Sequence, residues 1–218
     1  MIRFSSIGDI VLTAPVIQAL RRSYPDLHID YLVHERYRTL VDHFAALPDS
    51  VIPFPPSIGT AQLPAYGRQL AREGYELVID LHDSLRSKIL RKYLRPAEMR
   101  IYRKPRMKRW LLFYLWVNRF SPDFSVVGEY LLYAGLDAAQ EEHCPRMTVD
   151  SDKSQQVCAR LGLDQEYLVC IPGAAGPQKI WFADRYIDLF RRHLSGTQCQ
   201  VVLLGGSQDA ICGEIAAA

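Results

Sequence analysis

The sequence predicts an α/β fold of parallel strands covered by helices, with one large unit over residues 1–150 and the start of a second over 151–218. Three observations predict it. Short β-branched or aromatic runs alternate with longer amphipathic stretches, the pattern of repeated strand–helix units. The segment GLDAAQEEHCPRMTVDSD (135–152) is polar, acidic and without period, and reads as a linker. Beyond it, strand, loop, helix and strand begin again.

In chain order, MIRF forms a first strand, shorter than the about five to six residues usual for a buried one; either the strand is small or the true start lies upstream. A helix follows over 10–23. HIDYLV (28–33) is a short β-branched and aromatic run, and helices are expected over 36–47 and 61–73. ELVIDL (76–81) is a strong strand, followed by helices over 84–95, 107–119 and 126–135. After the linker come a helix over 153–161, the strand YLVCI (167–171), a helix over 183–194 and the strand QVVLL (200–204). Two parallel strands are thin for an independent core, so the second unit reads as incomplete.

Composition is that of a globular protein, with 49% hydrophobic and 23% charged residues in 218. The net charge of +2 is unevenly placed: Ser84–Trp110 holds eleven Lys or Arg and one acid, Glu98, leaving −8 for the remainder. Such a segment suggests an anionic partner, or merely a solvated helix face rich in arginine. Five scattered cysteines without a CxxC pair fit free thiols in a reducing cytosol, not a disulfide framework or a zinc site. Gly8 and Asp9 interrupt the apolar N-terminal run, which argues against a signal peptide. No stretch approaches the ~18–20 apolar residues a membrane span needs.

Four constellations carry chemistry. RFSSIGDIVLTAP (3–15) sets Ser5, Ser6, Gly8 and Asp9 at the carboxyl end of the first strand, where open α/β sheets bind their ligands. Gly8 allows a tight turn, and serine hydroxyls and free N–H groups can hold phosphate or sugar oxygens. Asp9 reads either as a helix N-cap or as a general base aimed into a cleft. IPGAAGPQKIW (171–181) offers exposed amides and one lysine, Lys179, ahead of a helix: a diphosphate site or an ordinary strand–helix loop. It matches neither a Walker A loop nor GxGxxG.

DLHDSLRSK (80–88) places Asp80, His82, Asp83, Arg86 and Ser87 at another strand end. No third ligand accompanies His82 and Asp83, so no metal is expected. DSD (150–152) matches the DxD pattern of metal-dependent transferases, but helix capping explains it better. RIYRKPRMKRWLLFYLWVNRF (100–120) has six basic residues in its first ten, then Trp110, Phe113, Tyr114 and Trp116. It reads as a surface for nucleic acid, membrane or anionic lipid, or as a basic loop before a core helix.

Together these motifs resemble the ADP-heptose:lipopolysaccharide heptosyltransferases, glycosyltransferase family 9. RFSSIGDIVLTAPVIQALRRSYPDLHIDYLV resembles the family's opening, and YELVIDLHDSLRSKIL its later strand-and-loop motif. PGAAGPQKIWFADRYIDLF with VVLLGGSQD resembles the start of its donor-binding domain. The resemblance covers essentially the whole chain. It implies a GT-B-like fold, with a Rossmann-like acceptor-side domain and its linker over 1–150 and the start of a second Rossmann-like, nucleotide-sugar domain over 151–218. It implies inverting, metal-independent transfer of a heptose from ADP-heptose to the inner core of lipopolysaccharide, with no further cofactor. Asp9 falls on the family's catalytic carboxylate and Lys179 on the lysine that meets the donor phosphates. Ser6, Gly8, Gly173, Ala174 and Ala175 are implied on the donor side. Ser5, Arg86, Ser87, Arg103, Arg106 and Arg109 are implied on the side of an anionic acceptor.

The same resemblance implies a cytoplasmic protein in peripheral contact with the inner membrane face, without a nucleic-acid partner. The chain also departs from the family pattern. The rest of the second domain, which carries an acidic Asp–Ser–Gly loop and a histidine that hold the donor, has no counterpart here. Phe182 stands where proline is common, and Ala174 and Ala175 stand where hydroxyl residues can occur. The alternative is therefore a truncated, non-catalytic remnant that keeps acceptor binding; a nucleic-acid binder is a third class. A dehydrogenase is disfavoured, because no glycine fingerprint follows a strand with an acid ~20 residues on.

Overall fold

The computed structural model describes residues 1–218 except 164, 165, 175, 207 and 208. The chain divides into two compact units, Met1–Thr148 and Val149–Ala218. In the first, the elements run α1 (Ile7–Val11), α2 (Ala14–Ser23), β1 (Asp30–His34), α3 (Arg38–Val41), β2 (Ser50–Phe54), α4 (Leu63–Leu70), β3 (Leu77–Asp80), α5 (Leu85–Leu94), β4 (Glu98–Ile101), α6 (Arg106–Leu115) and α7 (Val126–Tyr133). In the second they are α8 (Ser151–Leu161), β5 (Tyr167–Cys170), α9 (Ala183–Leu194), β6 (Gln200–Leu203) and α10 (Ala210–Ala216).

β1 pairs in parallel with β2, and β3 with β4. The N-terminal segment joins the two ribbons, because Ile2 bridges both Leu32 and Asp80 in parallel. Its backbone is bonded on both sides: Ile2 N–H donates to Ile79 O at 2.8 Å and Arg3 N–H to Leu32 O at 3.0 Å. The sheet order is thus β2, β1, Met1–Phe4, β3, β4, with MIRF at the centre. Alternation along each strand separates two cores. Tyr31, Val33, Ile79 and Leu81 pack with α1, α2 and α7 through Ile10, Val16, Ile17, Leu20, Tyr130 and Leu131. Ile2, Phe4, Leu32 and Val78 face α4 and α5 through Leu63, Leu70, Leu90 and Leu94.

Several elements differ from the sequence pattern. The helix expected over 10–23 is two, because Pro15 has no N–H to give the preceding turn and restarts the helix as α2. Thr13 fills the break, its hydroxyl bonding Ile10 O at 2.7 Å and the Tyr31 hydroxyl at 2.9 Å. The helix expected over 36–47 shrinks to a 3-10 turn and α3, since Phe44 pairs with Met147 and Ala45 N–H donates to Arg146 O at 3.0 Å. The segment expected to be a free linker therefore packs back on the first unit as far as Thr148. β2 escaped notice because Pro53 lies within it; as an edge strand it tolerates proline. β4 escaped because EMRI lacks an apolar period, and α10 was also unforeseen.

In the second unit β5 and β6 pair in parallel, and β5 leaves Tyr167, Leu168 and Val169 exposed. Asp150 caps α8 by accepting from Lys153 N–H at 3.1 Å, so DSD does cap a helix. No helix among the described residues is long and apolar enough to cross a membrane.

The packing of α4 on α5 depends on Gly67, where an added Cβ would lie 2.8 Å from Tyr93 Cβ and 3.1 Å from the Leu90 carbonyl. Gly67→Val is expected to lower the stability of the first unit by about 1–3 kcal/mol, the usual cost of overpacking, as read from the urea unfolding midpoint. An unchanged midpoint would show that the helices can part without loss.

Candidate active site

The central position of the N-terminal segment delivers Arg3 and the following turn to the carboxyl edge of the sheet. Arg3 is buried, and three of its contacts hold its guanidinium. Nε donates to Ser5 O at 2.9 Å, one terminal nitrogen donates to Leu81 O, and the other lies 2.5 Å from Asp9 Oδ2. Ser6 is the N-cap of α1, and Asp9 stands at the third helical position instead of the cap. The Asp9 carboxylate reaches back, so that Ser6 N–H donates to Oδ2 at 3.3 Å and the Ser6 hydroxyl donates at 3.0 Å.

All of these partners fall on one oxygen. No partner among the described residues falls on Asp9 Oδ1, and the side chain is 42% exposed. Burial pushes the Asp9 pKa up, but the Arg3 guanidinium and the two Ser6 donors outweigh it and hold the carboxyl below its ordinary value. Gly8 is helical, in the first turn of α1, and a Cβ there would meet nothing within 4 Å. Open space lies over this turn.

The loop after β3 forms the neighbouring wall. Asp80 is fully buried, and its Oδ1 accepts from the N–H groups of His82 at 2.8 Å and Asp83 at 3.1 Å. Its Oδ2 pairs at 2.5 Å with Arg91, whose side chain is 9% exposed. Asp83 has a left-handed backbone at φ 44°, unusual for a non-glycine residue and frequent at functional loops. Asp83 Oδ1 and His82 Nδ1 are buried without a hydrogen-bond partner among the described residues. Burial, with Arg3 and Lys104 nearby, pushes the His82 pKa down to about 4, so the ring is neutral at pH 7. Lys104 is drawn down by burial first and then by Arg3, while Asp9 and Asp83 oppose that shift.

The expected acceptor residues scatter around this edge. Arg86 is exposed on the first turn of α5. Ser87, expected on the acceptor side, is fully buried, and its hydroxyl accepts from Ser84 N–H at 2.9 Å, closing the cap of α5. Arg106 donates to Asp83 O at 3.0 Å. Arg103 lines an open groove with Lys88, Arg91 and Lys92, and Arg109 is exposed on α6. Ser5 lends its carbonyl to Arg3.

In the second unit, Gly173 lies so close to Asp209 that a Cβ would be 2.5 Å from its carboxyl carbon. Asp209 accepts from Gly206 N–H at 2.7 Å within the loop after β6, and its carboxyl packs against Gly173 of the loop after β5. Ala174 is partly exposed beside Gly173, and Lys179 is exposed on the 3-10 turn Pro177–Lys179. Ala175 lies outside the described residues. No group of three or more His, Cys, Asp or Glu suited to a metal occurs among the described residues.

Residues 64–218 match the family model described as glycosyltransferase family 9 (heptosyltransferase). The chain belongs to this family. Three solved structures resemble it. E. coli ADP-heptose LPS heptosyltransferase II has TM-score 0.75 and 21% identity over 100% of this chain and 67% of its own. A family 9 glycosyltransferase of Veillonella parvula has TM-score 0.72 and 17% identity over 99% of this chain and 64% of its own. E. coli heptosyltransferase WaaC with ADP has TM-score 0.64 and 18% identity over 100% of this chain and 71% of its own. The chain thus spans about two thirds of the length of these structures. No curated protein sequence matches it. These likenesses establish the α/β, GT-B-like fold class. Of the candidate site residues, the β3–α5 loop and Lys179 fall inside the matched residues, while Arg3 and Asp9 precede them.

Sequence reasoning missed Arg3, Arg91, Lys104 and Asp209. Arg91 had a signal: it sits with Ser87, Leu90 and Leu94 at helical spacing on the buried stripe of α5, where a charge requires a partner. Lys104 had none once β4 was overlooked.

Two outcomes are expected here. Asp80→Ala leaves Arg91 buried without its partner, so urea denaturation should show a loss of about 3–5 kcal/mol; a loss below about 1 kcal/mol, the range of an exposed pair, would contradict the buried pairing. Ser6→Ala removes a donor to the Asp9 carboxylate and should raise its pKa, seen by carbon-13 NMR titration of the carboxyl. The Asp9 contribution to stability, full above the ordinary carboxylate range, is lost as pH falls through its depressed folded value. In Ser6→Ala that loss should be smaller in total and complete at a higher pH, since only the folded value moves.

Proposed function

We propose that this chain carries out inverting transfer of a heptose from ADP-heptose to the inner core of lipopolysaccharide, with Asp9 as the general base. The observation that supports the reading is the one-sided holding of Asp9: three donors fix Oδ2, while Oδ1 has no partner among the described residues and the side chain is 42% exposed. In this reading the acceptor hydroxyl rests on Oδ1. Its oxygen attacks the anomeric carbon, its proton passes to Oδ1, and the bond to ADP breaks on the opposite face, which inverts the carbon. A carboxylate with a lowered pKa is a weak base toward a free hydroxyl. It suffices when the proton moves as the new C–O bond forms and the hydroxyl becomes acidic.

The remaining residues divide by unit. In the first, the loop that carries His82 and Asp83, held by the buried Asp80, would border the acceptor sugar. Arg86, Arg103, Arg106 and Arg109 would meet the carboxylates and phosphates of the acceptor. In the second, Lys179 and the amides around Gly173 and Ala174 would balance the charge on the leaving diphosphate, without need of a metal. Ser6 and Gly8 would border the donor sugar. E. coli heptosyltransferase WaaC has been solved with ADP and with ADP-2-deoxy-2-fluoro heptose, which supports this choice of donor. An acceptor of this kind is lipid-anchored, which places the chain at the cytoplasmic face of the inner membrane.

Asp9→Ala and Asp9→Asn should reduce transfer by about 10²- to 10⁴-fold, the usual contribution of a general base, with donor binding largely retained. The measurement is transfer of labelled heptose to a Kdo–lipid A type acceptor, beside calorimetric binding of ADP. Transfer at the parental rate by Asp9→Ala would overturn the assignment.

A further inference from the structure

The helix α6 and the turn after it form the most exposed apolar surface of the first unit. None of its residues is buried. Met107 is 69% exposed, Phe113 72%, Tyr114 72% and Trp116 89%. At about 100° per residue, Met107, Trp110, Phe113 and Tyr114 share an arc of roughly 120° on one side of the helix. Trp110 and Tyr114 pack together on that arc, with ring centres 5.8 Å apart. An aromatic face of this kind normally turns to a core, but here it turns to solvent.

Charge identifies what it faces. From Arg100 to Phe120 there are seven Lys or Arg and no acid. Among the described residues, Arg103, Lys108, Arg109 and Arg119 form no ion pair, and Lys108 lies over the Phe120 ring at 5.9 Å. Uncompensated cations around exposed tryptophan, tyrosine and phenylalanine match the boundary of an anionic bilayer. There the rings sit among the headgroups and the cations meet lipid phosphates. A core partner of another protein would be expected to be poorer in cations at its centre.

We propose that α6, with Trp116 and the flanking cations, is the surface by which this chain rests on an anionic lipid bilayer. Arg106 starts α6 and also holds the β3–α5 loop through Asp83 O, so a bilayer under α6 lies beside the acceptor residues. That juxtaposition rests on the transfer reading; attachment to lipid does not.

The test needs neither donor nor acceptor, so its result and that of the transfer assay are independent. The full chain is floated with vesicles of phosphatidylcholine alone and with 30 mol% phosphatidylglycerol, an order-of-magnitude mimic of an anionic leaflet. Binding is expected only to the anionic vesicles, falling steeply with added salt. In Trp181→Phe, where Trp110 and Trp116 are the remaining tryptophans, emission should shift to the blue on binding. Lys108→Ala with Arg109→Ala should weaken binding about tenfold or more, and Trp110→Ala with Tyr114→Ala should weaken binding and reduce the blue shift to the part that Trp116 reports. Circular dichroism should be unchanged in both, since these side chains are exposed. Absence of binding to anionic vesicles at low salt overturns the proposal. So does equal binding by both variants. A concentration-dependent dimer that the aromatic variant dissolves, without vesicle binding, would make a second copy the occupant and also overturn it.

Discussion

The insertion of Met1–Phe4 between β1 and β3 is the constraint on which the first unit depends. Without it, the two parallel ribbons β1–β2 and β3–β4 share no backbone bonds; with it, Ile2 bridges both and the five segments become one sheet. A parallel sheet covered on both faces must be apolar through its centre, and Ile2 and Phe4 supply the two apolar positions facing α4 and α5. Arg3, between them, has to point to the opposite face. It is a buried charge and must be satisfied, which it achieves through two carbonyls and Asp9.

That requirement links the fold to the chemistry. The cation needed to neutralise Asp9 is held in place by the same strand that aims the Ser5–Asp9 turn. The Asp80–Arg91 pair repeats the device one strand away. There the carboxylate spends both oxygens, on two loop amides and a guanidinium, and fixes the loop that carries His82 and Asp83. Two carboxylates at neighbouring strand ends thus have different roles. Asp80 is saturated and structural. Asp9 keeps one oxygen open and is the group available to a ligand.

The second unit is arranged on a different principle. Its loops after β5 and β6 pack closely at Asp209, which leaves no room for a side chain at Gly173 or, against Cys212, at Gly205. The glycines of PGAAGPQK and LLGGSQD thus act partly as space for a carboxylate, and not simply as flexible turns. Lys179 stands exposed on the same loop as Gly173.

The alternation of strands and helices and the polar motif at 3–15 at a strand end were legible in the sequence, although Asp9 sits in the helix and not at its cap. Each depends on the local order of apolar, polar and glycine residues, which survives folding unchanged. The edge strands β2 and β4 were not legible. Edge strands can carry proline and charge, and so lack the apolar run that marks a buried strand. With β4 unseen, Lys104 could not be placed at the strand end whose charges it feels. The sequence alone determined which residue types stand at the strand ends. Only the tertiary structure decided which carboxylate is free, because that depends on Arg3, Arg91 and the loop amides reaching them from other strands and helices, and spacing along the chain does not encode those distances.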